Sequence, residues 1–165
     1  MRIVIEKADR KSIAYSLEPQ KLTVLIPKDV ITGLLEKTLS VANRTLMNNE
    51  ETIPRKEFYH MLNNWTEKLQ VKPKKIQLKS MKSKWASCSQ SKTVMFNSSI
   101  TSMPKEFVEY VVCHELLHFK VPKHNKLFRN LLSAYMPDWQ ERISRTIDYV
   151  LAQNNGKKLS ELHIV

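Results

Sequence analysis

Apolar positions recur along the chain first at strand spacing and then at helical spacing. Near the start, Ile3–Glu6, Ser12–Glu18 and Lys21–Pro27 are short β-branched runs with partial alternation, separated by polar residues. They predict two or three antiparallel strands closed by Pro27. From Asp29 to Met47 the residues Val30, Leu34, Leu35, Leu39, Val41, Ala42 and Leu46 return near helical spacing, and Asn48–Asn49 is a stop signal. A second helix is predicted after Thr52, with Pro54 in its first turn. Phe58, Met61, Leu62, Trp65 and Leu69 share one of its faces, and Pro73 marks its end.

Farther on, Ile76–Lys79 and Thr93–Asn97 read as strands around a polar loop, Ser83–Ser91. Pro104 opens a helix running through Lys120 that is apolar on almost every side, the mark of a buried helix, and Pro122 ends it. Two more helices are predicted, Lys126–Tyr135 and Asp138–Gln153, separated by a break at Pro137. The tail from Asn154 is polar, with Leu162, Ile164 and Val165 as its docking candidates. No repeat or linker interrupts the chain, so the pattern describes one α+β domain over residues 1–165. Its parts are the N-terminal strands and helices (1–70), a second half (71–153) and the tail (154–165).

Composition narrows this picture. A chain of 165 residues with 42% apolar and 26% charged residues has the means to build its own core, which excludes a disordered polymer. No run approaches the roughly 20 apolar residues of a bilayer span, and the charged start MRIVIEKADRK does not resemble a signal peptide. A cytoplasmic protein with no membrane partner is expected. Two cysteines, Cys88 and Cys113, cannot make a disulfide framework, and two glycines exclude a glycine-rich phosphate loop.

The net charge of +11 is concentrated. Lys68 to Lys105 holds nine lysines and no acid, whereas the remainder carries 18 bases against 16 acids. Such a stripe attracts nucleic acid, nucleotide phosphates or an acidic peptide, or is simply a solvated face. Lys79, Lys82 and Lys84 are its candidate anion-binding residues.

The residues that carry chemistry are His114-Glu115-Leu116-Leu117-His118, with His124 six positions later. On a helix, positions i and i+4 lie on one face, so both imidazoles can reach one ion while Glu115 projects beside them. That is the pattern of a catalytic zinc with an open position for water and a glutamate as general base. Given five histidines and twelve glutamates, a chance match is expected on the order of 0.01 times per chain of this composition. A purely structural role would leave two imidazoles and a carboxylate seeking partners in a buried helix. The third ligand has two candidates. Pro122 forces a turn that can return His124 to the ion, while Glu141 is the acid at a plausible distance on the following helix.

The run KSKWASCSQSKTVMFNSSI, then MPKEFVEYVVCHELLHF, His124, Phe128 and MPDW resembles the YgjP-like family of predicted metal-dependent hydrolases, relatives of the SprT and WLM zinc metallopeptidases. The likeness extends to the opening strands ending in VLIP. It implies a zincin-like metallopeptidase fold, with a short sheet beside the metal-bearing helix and a helical C-terminal part. It also implies zinc on His114, His118 and His124, with Glu115 as catalytic acid/base. Two positions depart from the family pattern: Ala86 stands where glycine is usual, and Asn125 where serine is usual. Ala86 disfavours a positive φ, which puts any backbone contact that needs glycine there in question.

The leading reading is a zinc-dependent hydrolase acting on polypeptide, with Thr93–Asn97 as an edge strand for an extended substrate. A nucleotide pyrophosphatase, an activity assigned within the resembled family, is the alternative if the lysines gather at the metal. A nucleic-acid-binding protein with a non-catalytic zinc is the third. Tyr110 and Arg129 are candidate oxyanion or substrate contacts. Trp85, Trp139 and Phe128 read as core, Cys88 and Cys113 as ordinary thiols, and His60 and His163 as surface residues.

Overall fold

The computed structural model describes residues 2–9, 14–19, 21–27, 53–82, 84–153 and 163–164. The helix expected over Asp29–Met47 lies outside them. The chain divides into two compact units, Met1–Asn49 with Arg145–Val165, and Glu50–Ser144.

In the first unit, β1 (Arg2–Ala8), β2 (Ala14–Glu18), β3 (Lys21–Pro27) and β7 (His163–Ile164) form a sheet in the order β2-β3-β1-β7. The two-residue link between Glu18 and Lys21 makes β2 and β3 antiparallel, as expected. β1, however, runs parallel to β3, with Val4 beside Thr23. The alternation that marks a strand carries no information about its direction, so the expectation of uniformly antiparallel pairing fails here. Part of the tail joins this sheet: Ile164 pairs with Ile5 and His163 with Val4, both parallel.

The second unit is built on α1 (Arg55–Lys68), β4 (Lys75–Lys79), β5 (Ala86–Cys88), β6 (Thr93–Asn97), a 3-10 turn (Ser98–Ser102), α2 (Lys105–Leu117) and α3 (Lys126–Tyr135). A further helix, α4, covers Trp139–Gln153. Pro54 and Pro104 sit at the entrances of α1 and α2, where a missing N–H costs nothing. The face read from the sequence of α1, Phe58, Met61, Leu62 and Trp65, is buried. It packs on α2, whose Phe107, Val108, Val111, Val112, Cys113, Leu116 and Leu117 are buried in turn. Phe58 meets Phe96 of β6 edge-on, with ring centroids 5.3 Å apart.

The short sheet runs β4-β6-β5, with β4 parallel and β5 antiparallel to β6. Thr93–Asn97 is therefore the central strand, not the edge strand expected. The edge beside α2 is β5, which lies in the segment expected to be loop. α2 also ends earlier than expected, at Leu117. His118 caps it, and N–H groups of Phe119, Lys120 and Val121 close a tight turn on the carbonyls of Leu116 and Leu117. Among the described residues no helix is long and apolar enough to cross a membrane.

Candidate metal centre

His114 lies in the last turn of α2, His118 caps it, and His124 stands in the turn leading to α3. The ring centroids are 5.1 Å apart for His114 and His118, 4.8 Å for His114 and His124, and 4.6 Å for His118 and His124. Phe128, 1% exposed on the first turns of α3, packs against all three rings at 4.8–4.9 Å. It is the apolar floor that holds them together. Asn125 fixes that floor by capping α3: its side chain accepts the Phe128 N–H at 3.0 Å. Asparagine and serine both do this well, so the departure at Asn125 preserves the cap.

One potential ligand nitrogen from each histidine lies within 4.8 Å of the others. His114 Nε2 and His124 Nε2 are 2.8 Å apart. Two imidazole lone pairs at that distance repel, so the pair needs a shared proton or a cation. Nitrogens on a tetrahedral zinc, each about 2.0–2.1 Å from the ion, stand about 3.3 Å apart, a spacing the cluster reaches by small ring movements. The outer nitrogens are engaged in the way metal-binding histidines require. His118 Nδ1 donates to the Val121 carbonyl at 3.2 Å, which leaves Nε2 with its lone pair, and His114 Nδ1 lies 3.2 Å from the Tyr110 hydroxyl. Burial, with His118 and His124 adding to it, holds His114 down to about 3, and burial also lowers His118. Both are thus neutral imidazoles, the form that binds a metal. The residues present fit a divalent cation with nitrogen preference. Glu141 is not in the cluster, which among the described residues contains only the three histidines.

Glu115, one position along α2 from His114, meets β5, where its carboxylate accepts the Cys88 backbone N–H. Burial raises its pKa to about 7, against the lowering effects of that bond and of Lys84. Ala86 has no positive φ; among the described residues only Gln70 and Lys92 do. It sits in β5 opposite Phe96, 8% exposed, so its methyl fills core space and strand geometry makes glycine unnecessary.

The other predicted residues fall at different distances from the centre. Tyr110, whose hydroxyl burial pushes up to about 12, faces the outer nitrogen of His114, so it orients that ring from behind. Arg129 donates to the His124 carbonyl at 3.2 Å and steadies the turn. Lys79, Lys82 and Lys84 are exposed, and Lys84 is the one whose charge acts on Glu115. Trp85 and Phe128 are buried, and the half-buried Trp139 stacks on Tyr110 at 6.3 Å. Burial raises both thiols, Cys88 with help from Glu115 and Cys113 to about 12, which weakens them as nucleophiles.

Two supports have no counterpart in the sequence reading. Glu109 accepts from the Trp65 indole at 3.2 Å and from Arg142 at 2.6 Å, tying α1, α2 and α4 together around the apolar helix. Asn97, 2% exposed, donates from Nδ2 to the carbonyls of Met81 at 2.7 Å and Lys84 at 3.0 Å. Its Oδ1 accepts from the N–H and hydroxyl of Ser99. The signals were present: an acid set in the apolar stretch Phe107–Cys113, and an amide closing a strand before a serine-rich turn.

A short mixed sheet against a helix bearing His-Glu-x-x-His, with a third imidazole returned to it, defines a metal-dependent hydrolase of the metallopeptidase class. Comparison with known proteins makes the assignment specific. The model of the YgjP-like metallopeptidase domain matches residues 11–147, and the chain belongs to that family. The fold is similar to that of the metallopeptidase zymogen jannalysin of Methanocaldococcus jannaschii, with 28% identity, a TM-score of 0.51, and coverage of 56% of this chain and 96% of that one. The metallopeptidase zymogen abylysin of Pyrococcus abyssi aligns at 18% identity and a TM-score of 0.48, over 66% of this chain and 99% of its own. No curated protein matches the chain in a sequence search.

Proposed function

We propose that the protein is a zinc-dependent peptidase in which His114, His118 and His124 hold the ion and Glu115 is the general base. The observation that supports this most is the pairing of three converging imidazole nitrogens with a half-buried carboxyl hydrogen-bonded to the edge strand β5. Zinc held there supplies a Lewis acid for the scissile carbonyl and lowers the pKa of water. Glu115, oriented by the Cys88 N–H, takes the proton of the attacking water and passes it to the departing amine. Tyr110 fixes the His114 ring, and Phe128 keeps water from beneath the three imidazoles. β5 is an edge strand of the short sheet, so an extended polypeptide can add along its outer side, beside the Cys88 N–H that holds Glu115.

Peptide hydrolysis is favoured over attack on a phosphoanhydride because spread phosphate charge calls for several cations. Of Lys79, Lys82 and Lys84, Lys84 alone acts on Glu115. The test is hydrolysis of unfolded polypeptide by metal-loaded protein and its Glu115→Gln variant. The variant is expected to retain zinc and lose at least about a hundredfold in rate. Glu115-dependent release of pyrophosphate from nucleoside triphosphates, with polypeptides left intact, would replace this reading with the nucleotide one.

A further inference from the structure

Most of the lysines between Lys68 and Lys105 have no part in that chemistry. Lys105 pairs with Glu57, and Lys68 lies over the Trp65 ring and reaches the Tyr135 carbonyl. The seven others are exposed and make no ion pair among the described residues, and the short sheet gathers six of them into two groups. Lys74 donates its backbone N–H to the Lys92 carbonyl at 2.9 Å, and Lys75 is in register with Thr93, so Lys74, Lys75 and Lys92 meet at one end. At the other end Lys79 is in register with Asn97. The Asn97 amide holds the carbonyls of Met81 and Lys84, which draws Lys82 and Lys84 to the same corner. The outer strand β4 joins the groups, with a rise of about 13 Å between Lys75 and Lys79.

This track has charge without anchors. The exposed large hydrophobic side chains among the described residues are Tyr59 and Leu127, both outside the segment. A protein partner would seek a buried aromatic or arginine anchor, and a membrane would need apolar side chains to insert. Lysines attract phosphates as point charges, without the bidentate arginine fork that adds geometric selectivity, which suits contact with a repeating phosphate backbone. We infer that the two lysine groups bind a nucleic-acid strand through its phosphates, without reading its sequence. This inference is independent of the peptidase reading.

The test is binding of a mixed-sequence single-stranded 20-mer DNA, about twenty nucleotides long, to the full chain, read by fluorescence anisotropy across a salt series without added metal. Six phosphate contacts give a log–log salt slope of about −4, or roughly a three-hundredfold loss of affinity between 50 and 200 mM salt. Replacing Lys79, Lys82 and Lys84 with alanine together is expected to halve the slope to about −2. The Lys74, Lys75 and Lys92 triple variant should match it. Replacing Lys56, Lys120 and Lys126, exposed residues outside the track, removes the same charge and should leave the slope nearly unchanged. The inference is overturned by absence of binding at low salt or by equal loss in the control triple. It is equally overturned by tighter binding of polyglutamate or of anionic vesicles than of DNA.

Discussion

Replacing Asn97 with alanine tests whether the edge strand β5 depends on a buried amide clamp. The side chain is 2% exposed and makes four hydrogen bonds, two donated to Met81 and Lys84 and two accepted from Ser99. Ser99 is exposed, so its groups can turn to water when the partner is lost. The two carbonyl bonds count in full, at about 0.5–1.5 kcal/mol each, and the vacated volume adds to them, for a total of about 2–3 kcal/mol. For a chain of this size that corresponds to a fall of about 5–10 °C in Tm. Chemical denaturation followed by tryptophan fluorescence gives the energy, and hydrogen exchange at the Cys88 amide shows whether β5 loosens with it. Asn97→Asp keeps the Ser99 bonds but sets a carboxylate against two carbonyls, so it should cost more than alanine. A loss below about 0.5 kcal/mol for Asn97→Ala, the range of an ordinary surface change, refutes the clamp. An Asn97→Asp protein as stable as the parent refutes the clamp as well, because a carboxylate cannot donate to the two carbonyls.

Metal analysis of two variants checks the ligand cluster: His118→Ala should lose zinc, while Tyr110→Phe should keep it at roughly tenfold weaker affinity, the scale of losing an orienting partner. At the start of α3, Asn125→Ala should cost about 1 kcal/mol in thermal or chemical melts and Asn125→Ser only a few tenths, because serine restores the cap.

How much of this architecture is legible in the sequence depends on how local its cause is. The buried face of α1 follows from the spacing of Phe58, Met61, Leu62 and Trp65, and the break between α3 and α4 follows from Pro137, because helical periodicity and proline act within a few residues. β5 is three residues, Ala86–Cys88, in a polar serine-rich run with no alternation. Its pairing with β6 makes it a strand, so nothing within the segment itself announces it. The direction of β1 and the central place of β6 depend in the same way on partners distant in sequence.

The candidate site divides along the same line. Tyr110, His114 and His118 stand four residues apart on one helix, so their alignment, hydroxyl to imidazole to imidazole, is written in the spacing. His124 follows from the turn that Pro122 imposes. Glu115 is offset by one residue, about 100° around the helix, and its side chain therefore meets a different neighbour, the backbone N–H of Cys88. A backbone N–H has no identity in a sequence, so spacing alone does not show which one Glu115 meets. That offset separates the two tasks of the motif, since the face that gathers nitrogens is not the face that holds the carboxyl. It also ties the carboxyl to the strand proposed to receive substrate. Movement of β5 would then shift the Glu115 carboxyl and that edge together, while the imidazole cluster stays on Phe128.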